Sequence, residues 1–231
     1  MSIIELLVET NREKYELSIM HPLTNELCLG TLPDHKLFTY LTQDLKYFKL
    51  GMNLFGKTLS LCDNGESAII LAKQIGFLAS SENSYFENCL SEIRETSKQE
   101  LEKYCSAMLL GNDSPTFPSV QRYLDYMRYL IHECSSYVQL ITTLCVMEFV
   151  YLGWAEYNLL KGTVVPDLSY KYKEWVSLHS GCDFSIWVSF LKQEVDRVVI
   201  TESDRTECEK TFTRVLDLEI EFFDSCYDGY D

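Results

Sequence analysis

Thirty residues, Pro33 to Cys62 (PDHKLFTYLTQDLKYFKLGMNLFGKTLSLC), carry apolar side chains at Leu37, Leu41, Leu45, Phe48, Met52, Phe55 and Leu59. Steps of three and four keep one face of an α-helix apolar over the whole stretch. A helix this long is stabilised mainly by burying that face, so the remaining chain must be arranged around it. Pro33 suits a first-turn position, where its missing N–H costs nothing, and Asp34 places negative charge at the positive end of the helix dipole. Asp44 falls on the same side as Leu41, Leu45 and Phe48, with Tyr40 at i−4 and Tyr47 at i+3. Two readings of Asp44 stand. A carboxylate held among apolar and aromatic groups must be paired, hydrogen-bonded or neutralised. A helix-edge Asp simply reaches solvent.

The rest of the chain repeats the helical pattern. A first helix runs through Ile3, Leu6, Leu7 and Leu17 and ends before His21-Pro22, and a short piece from Leu23 to Leu29 closes at Gly30. Asp63-Asn64-Gly65 is a turn signal. Glu66 to Glu95 reads as helix, with a break near Gly76 or Ser80-Ser81, and residues 96–110 have the pattern for another. Gly111 to Ser119 (GNDSPTFPS) is the strongest loop. Val120 to Cys134, Tyr137 to Lys161, 168–178, Phe184 to Val198 and Asp204 to Phe223 complete the set. The β-branched runs Val164-Val165 and Val198-Val199-Ile200 are too short to build a sheet. The expectation is an all-α, single-domain helical bundle spanning 1–231, with about eight to ten helices.

Composition excludes several function classes. A net charge of −15 and a pI near 4.7 argue against nucleic acid or an anionic membrane as partner. No uninterrupted run of 18 apolar residues appears, so no membrane span is expected, and the N-terminus lacks the features of a signal peptide. Nine cysteines, an odd number with no CxxC pair, suit free thiols in a reducing, cytoplasmic compartment and disfavour zinc. His21, His35, His132 and His179 are scattered, and no ExxH, HExxH, GxSxG or GxGxxG occurs. No metal or cofactor is called for.

Four stretches carry candidate chemistry. Gly51 to Thr58 (GMNLFGKT) satisfies the GxxxxGK[ST] phosphate-loop pattern. A phosphate loop needs a strand before it, whereas here the helical period runs straight through Met52 and Phe55. Gly51 and Gly56 read instead as points of close helix packing. Glu148, in Thr143 to Trp154 (TLCVMEFVYLGW), lies in the most apolar helix, with Tyr151 at i+3. Desolvation there would raise its pKa and suit it to general acid or base work; an interhelix hydrogen bond or a surface position is the plainer reading. Glu219, in the C-terminal helix, shares a side with Leu216, Phe222 and Phe223, while Asp217 and Glu221 can point elsewhere. Tyr123, Tyr126 and Tyr129, near Tyr137, suit either a core or a pocket for a flat polar ring.

Taken together, His21-Pro22, LCLGTLPDHKLFTYLTQDLKYF, VQRYLDYM, CVMEFVYLGW and the C-terminal ExxFF resemble the TenA family of thiamin-salvage enzymes. The resemblance covers nearly the whole chain and implies that family's haem-oxygenase-like helical fold. It implies substrate-binding roles for Asp44, Tyr47, Tyr123 and Tyr151 and catalytic roles for Glu148 and Glu219. The family's larger branch has a nucleophilic Cys four residues before the Tyr151 position; here that residue is Met147, and Cys145 lies two residues off. The pattern is similar to a second branch, in which a Glu stands in for the lost Cys. A pocket Tyr of the family is His179 here, so no role is assigned to it. The implied activity is hydrolysis of aminopyrimidine breakdown products of thiamin, without a cofactor, by a homo-oligomer (dimer or tetramer). The alternative is a pyrimidine- or thiamin-binding regulatory protein without turnover.

Overall fold

The computed structural model describes residues 2–111 and 114–229. Among the described residues there is no strand, in line with the all-α expectation. Thirteen α-helices are found: α1 (Ile3–Thr10), α2 (Arg12–Ile19), α3 (Pro22–Leu29), α4 (Asp34–Leu61), α5 (Gly65–Phe77), α6 (Asn83–Thr96), α7 (Lys98–Tyr104), α8 (Ala107–Leu110), α9 (Pro118–His132), α10 (Tyr137–Lys161), α11 (Tyr170–Leu178), α12 (Gly181–Val198) and α13 (Glu202–Asp228). The number exceeds the expected eight to ten because three segments divide, one of them Glu66 to Glu95, which a π turn parts into α5 and α6. The first helix breaks at Asn11, whose side-chain amide donates to the Leu7 carbonyl at 2.9 Å and so competes with the backbone ladder. Residues 98–110 form two short helices instead of one. Pro33 is the N-cap of α4, one position before the first turn. Within the expected loop Gly111 to Ser119, Asn112 and Asp113 lie outside the described residues, and Pro118 already starts α9.

The expected break near Ser80-Ser81 is a π turn, Leu78–Glu82, set between α5 and α6 without interrupting the chain's helical course. The Asn83 N–H reaches back five residues to the Leu78 carbonyl. Such insertions widen the turn and re-aim side chains, and they recur at functional sites.

Two helices organise the core. α4 packs against α9, α13, α5 and α6, and α10 packs against α13, α12, α2 and α4. By length and composition α10 could cross a membrane, contrary to the expectation from uninterrupted runs, but 78% of its most apolar window is buried inside the fold. It is the central core helix. Ser136 caps its start by accepting from the Gln139 N–H, and Gly162 ends it in the left-handed conformation at φ 69°.

The GMNLFGKT stretch lies wholly inside α4, as its period requires. The packing role expected for its glycines is not found. A Cβ on Gly51 would meet only Met127 at an ordinary 3.9 Å, and one on Gly56 would meet nothing within 4 Å. The glycine that does permit close approach is Gly153 in α10, where a Cβ would sit 2.6 Å from the Tyr15 hydroxyl and 2.7 Å from Ile19 of α2.

Candidate active site

One stripe of α4 and one of α10 face each other across a small cavity. Asp44, Tyr47, Phe48, Gly51 and Phe55 recur at helical spacing on the first; Met147, Glu148 and Tyr151 lie on the second. The π turn closes one side with Leu78 and Glu82, and His179, just past α11, closes another. The cavity encloses about 50 Å³, room for a few water molecules.

Asp44 does not reach solvent; the helix-edge reading fails, since its position on α4 faces inward. Its Oδ1 accepts a long hydrogen bond from the Tyr151 hydroxyl at 3.4 Å. Behind it, the Tyr151 and Tyr40 hydroxyls lie 3.2 Å apart, and the Trp175 indole N–H donates to Tyr40 at 3.2 Å. The chain fixes Tyr151 in place. Burial pushes the Asp44 carboxyl up to about 8, with only the Tyr151 bond opposing it.

Glu148 is partly buried and lines the cavity. Burial raises its pKa to about 7, and the nearby Trp187 indole pulls it slightly down. That indole N–H, itself buried, has no partner within hydrogen-bond distance. Glu82 is also partly buried, and burial followed by the Glu148 and Asp44 charges drives its carboxyl well above the ordinary range.

Glu219 is fully buried between Leu216, Phe222 and Phe223, while Asp217 pairs with Lys14 and Glu221 with Arg122 at the surface. Glu219 does not line the cavity. It accepts from the Tyr123 hydroxyl at 2.5 Å, and Tyr123 lies 3.5 Å, oxygen to oxygen, from cavity-lining Tyr47. Burial raises Glu219 to about 8; Tyr123 opposes, and the Asp44 and Glu148 charges add to the rise. Tyr123 therefore touches the site through Tyr47 and Glu219. The other tyrosines of the expected cluster lie elsewhere: Tyr129 is exposed, and Tyr137 donates to Glu194.

His179 and Glu82 are the polar cavity residues to which sequence reasoning gave no role. The His179 Nδ1 lies 2.9 Å from the Trp175 carbonyl, which can only accept, so Nδ1 carries the proton. Burial lowers the ring's pKa to about 4, leaving it neutral with Nε2 as an acceptor. Cys145 is fully buried, its thiol pushed up by burial, and does not line the cavity; Met147 does. All nine cysteines are free thiols. Among the described residues no group of three or more His, Cys, Asp or Glu side chains is placed to hold a metal ion. The arrangement offers acid–base chemistry: four carboxyls in or behind one cavity, each raised above its ordinary range by burial.

The chain belongs to the TENA/THI-4/PQQC family, whose sequence model matches residues 9–229. Among solved structures it is similar to a TenA homologue from P. horikoshii OT3, at 17% identity, 99% coverage of both chains and a TM-score of 0.79. It is similar, too, to a protein described as a TenA-like thiaminase from Sulfolobus solfataricus P2 (17% identity, 96% of this chain and 95% of that one, TM-score 0.71). A third likeness is to a TenA family transcription regulator from Silicibacter sp. TM1040 (14% identity, 98% and 97%, TM-score 0.74). At these identities the likeness establishes the fold. No curated protein matched the chain.

Proposed function

We propose that this protein hydrolyses aminopyrimidine breakdown products of thiamin, 4-amino-5-aminomethyl-2-methylpyrimidine, its N-formyl derivative or both, for thiamin salvage. It would do so as the cysteine-free branch of the family does. The observation that carries the reading is the pairing of Glu148 and Met147 on the cavity wall across from Asp44, with Cys145 outside it. Membership in the TENA/THI-4/PQQC family and the likeness to a protein described as a thiaminase add support.

With its carboxyl at about 8, Asp44 is mostly neutral at pH 7. A neutral acid donates to a ring nitrogen and accepts from the adjacent exocyclic amine, a two-point match to an aminopyrimidine. Tyr47 and Tyr151 supply aromatic walls. A substituted pyrimidine needs more room than the cavity encloses, and Met147, unbranched and adaptable, is the wall that yields. Of Asp44, Glu148 and Glu219, Glu148 ionises at the lowest pH and is the base near neutrality. It takes a proton from water, whose oxygen attacks the side-arm carbon as the C–N bond breaks. Where the departing nitrogen is uncharged, as in the formamide, Glu219 returns a proton to it through Tyr123 and Tyr47; an arm bound as an ammonium leaves as ammonia with the protons it already carries. For the aminomethyl substrate the products are the hydroxymethylpyrimidine and ammonia. For the N-formyl substrate attack falls on the formyl carbon and formate leaves.

The direct test is release of ammonia or formate from these two pyrimidines by the purified chain. Turnover supports the hydrolase. Tight binding without turnover assigns the chain to the second reading, a pyrimidine-binding regulator, which the description of one structural relative as a transcription regulator favours. The cytoplasm and a self-associated state belong to the same proposal; nine free thiols suit the former.

A further inference from the structure

The π turn gives the cavity a carboxyl that nothing in the proposed chemistry uses. Leu78 and Glu82, the first and last residues of the π turn and four apart, share one face and both line the cavity wall. No hydrogen bond or ion pair among the described residues reaches the Glu82 carboxyl, and none of the cavity-lining residues is Lys or Arg. The other free polar valences point the same way. His179, buried and tied through Nδ1, presents Nε2 as an acceptor; Asp44 is taken up with the ring and Glu148 with water in the chemistry above, so Glu82 is the carboxyl left over. Acceptors in a cavity whose lining holds no cation are complementary to a ligand that carries positive charge and several N–H donors.

Resting on the aminopyrimidine reading above, we propose that Glu82 is the specificity residue for a primary ammonium on the ligand's side arm. Asp44 reads the ring, and Glu82 receives the cation. The site thereby distinguishes a charged aminomethyl arm from a neutral N-formyl arm on the same ring. An ammonium donates three hydrogen bonds and offsets the unbalanced carboxyls; a formamide arm leaves them as they are.

The test is calorimetric binding of both pyrimidines, in a Glu148→Gln background to prevent turnover, with and without Glu82→Gln. The aminomethyl compound is expected to lose at least about tenfold in affinity on Glu82→Gln, and the N-formyl compound to stay within about twofold. The neutral ligand thus reports that the variant is folded, and Glu82→Ala should repeat the pattern. Equal losses for both ligands, or no loss for either, overturn the ammonium role while leaving the pyrimidine reading intact. Failure of the chain without Glu82→Gln to bind either compound overturns the pyrimidine reading and this proposal with it.

Discussion

Glu194 and Asp44 are each 3% exposed, yet their carboxyls move in opposite directions. Burial pushes Glu194 up too, but Arg197, Tyr137 and Ser67 together outweigh it and hold the group below its ordinary value. Arg197 grips it through two nitrogens at 2.7 and 3.0 Å, Tyr137 donates at 2.8 Å and Ser67 at 2.9 Å. Asp44 has one long bond from Tyr151 and no cation. Helix α10 serves both regions, with Tyr137 at its start and Glu148 and Tyr151 further along. Burial alone thus says little about a carboxyl's job. Where the fold supplies a cation and fills every lone pair, the group is a fastener. Where it withholds them, the group stays free to titrate near neutrality and to meet a ligand.

The contrast breaks most visibly at Arg197. Arg197→Met leaves a buried, unpaired Glu194. Removing one partner of a buried pair costs about 3–5 kcal/mol, and a guanidinium one-third exposed places this pair at the low end. In a domain of this size the melting temperature should fall by roughly 6–12 °C, while pyrimidine affinity stays within about twofold. If affinity falls with the melting temperature held, the two regions are not separate.

Glu148→Gln should show the reverse split. The turnover number falls at least about 10²-fold, the low end for losing a general base, and the melting temperature holds or rises. The rate of the unsubstituted protein on the N-formyl substrate should climb with a limb near pH 7 from Glu148 and fall near pH 8 as Glu219 loses its proton, as apparent values of a coupled set. In Glu148→Gln the limb near pH 7 should disappear. A normal rate with an altered melting temperature would put Glu148 in the same class as Glu194.

Asp44 yields a third, smaller effect with a definite sign. Its folded pKa of about 8 lies above the ordinary value of 3.8, so between these values the unfolded state binds fewer protons. Its contribution to stability is therefore present below about pH 4 and lost as pH rises through 8. Asp44→Asn removes that slope, and at pH 8 it should melt at least about 4 °C above the parent, with little difference at pH 4. Because an amide presents the same donor and acceptor as the neutral acid, Asn should retain most ring binding at pH 7, whereas Asp44→Ala loses more than about tenfold. Tighter binding by neither Asn nor Asp over Ala would remove Asp44 from ring recognition.

Most of the fold was legible because its signals are local. Gly30 and Gly162 end α3 and α10 in the left-handed conformation, and the apolar period marks α4 from end to end. Asp44 and Glu148 stood out as candidates from their places on apolar stripes, with a plainer reading open for each, and Tyr151 entered through the family resemblance; all three line the cavity. Glu82 did not stand out. It stands at helical spacing from Leu78, Tyr85 and Phe86, but beside the expected break at Ser80-Ser81, where periodicity does not tell whether the helical course runs on. His179 was passed over because its role depends on the Trp175 carbonyl one turn back, a backbone contact that composition does not encode. Tyr123 and Glu219 were placed on the right faces, but whether a buried side chain borders the cavity or stands behind its wall is decided by packing across helices.

The smallest effect is expected at the thiols. Cys145 is fully buried, stands off the cavity wall, and has its thiol pushed up by burial, so it offers little thiolate at neutral pH. Cys145→Ala should leave the turnover number within about twofold and lower the melting temperature slightly, because a small buried group is lost without a change in charge. Cys182 is the exposed cysteine and should react first with an alkylating reagent, without loss of rate. Inactivation at a rate that bound pyrimidine slows, and that Cys145→Ala abolishes, would instead make Cys145 the nucleophile. The α10 register that sets Met147 and Glu148 on the cavity wall would then have to turn. Equal inactivation of the parent and Cys145→Ala would trace the loss to another thiol and leave the carboxyl chemistry standing.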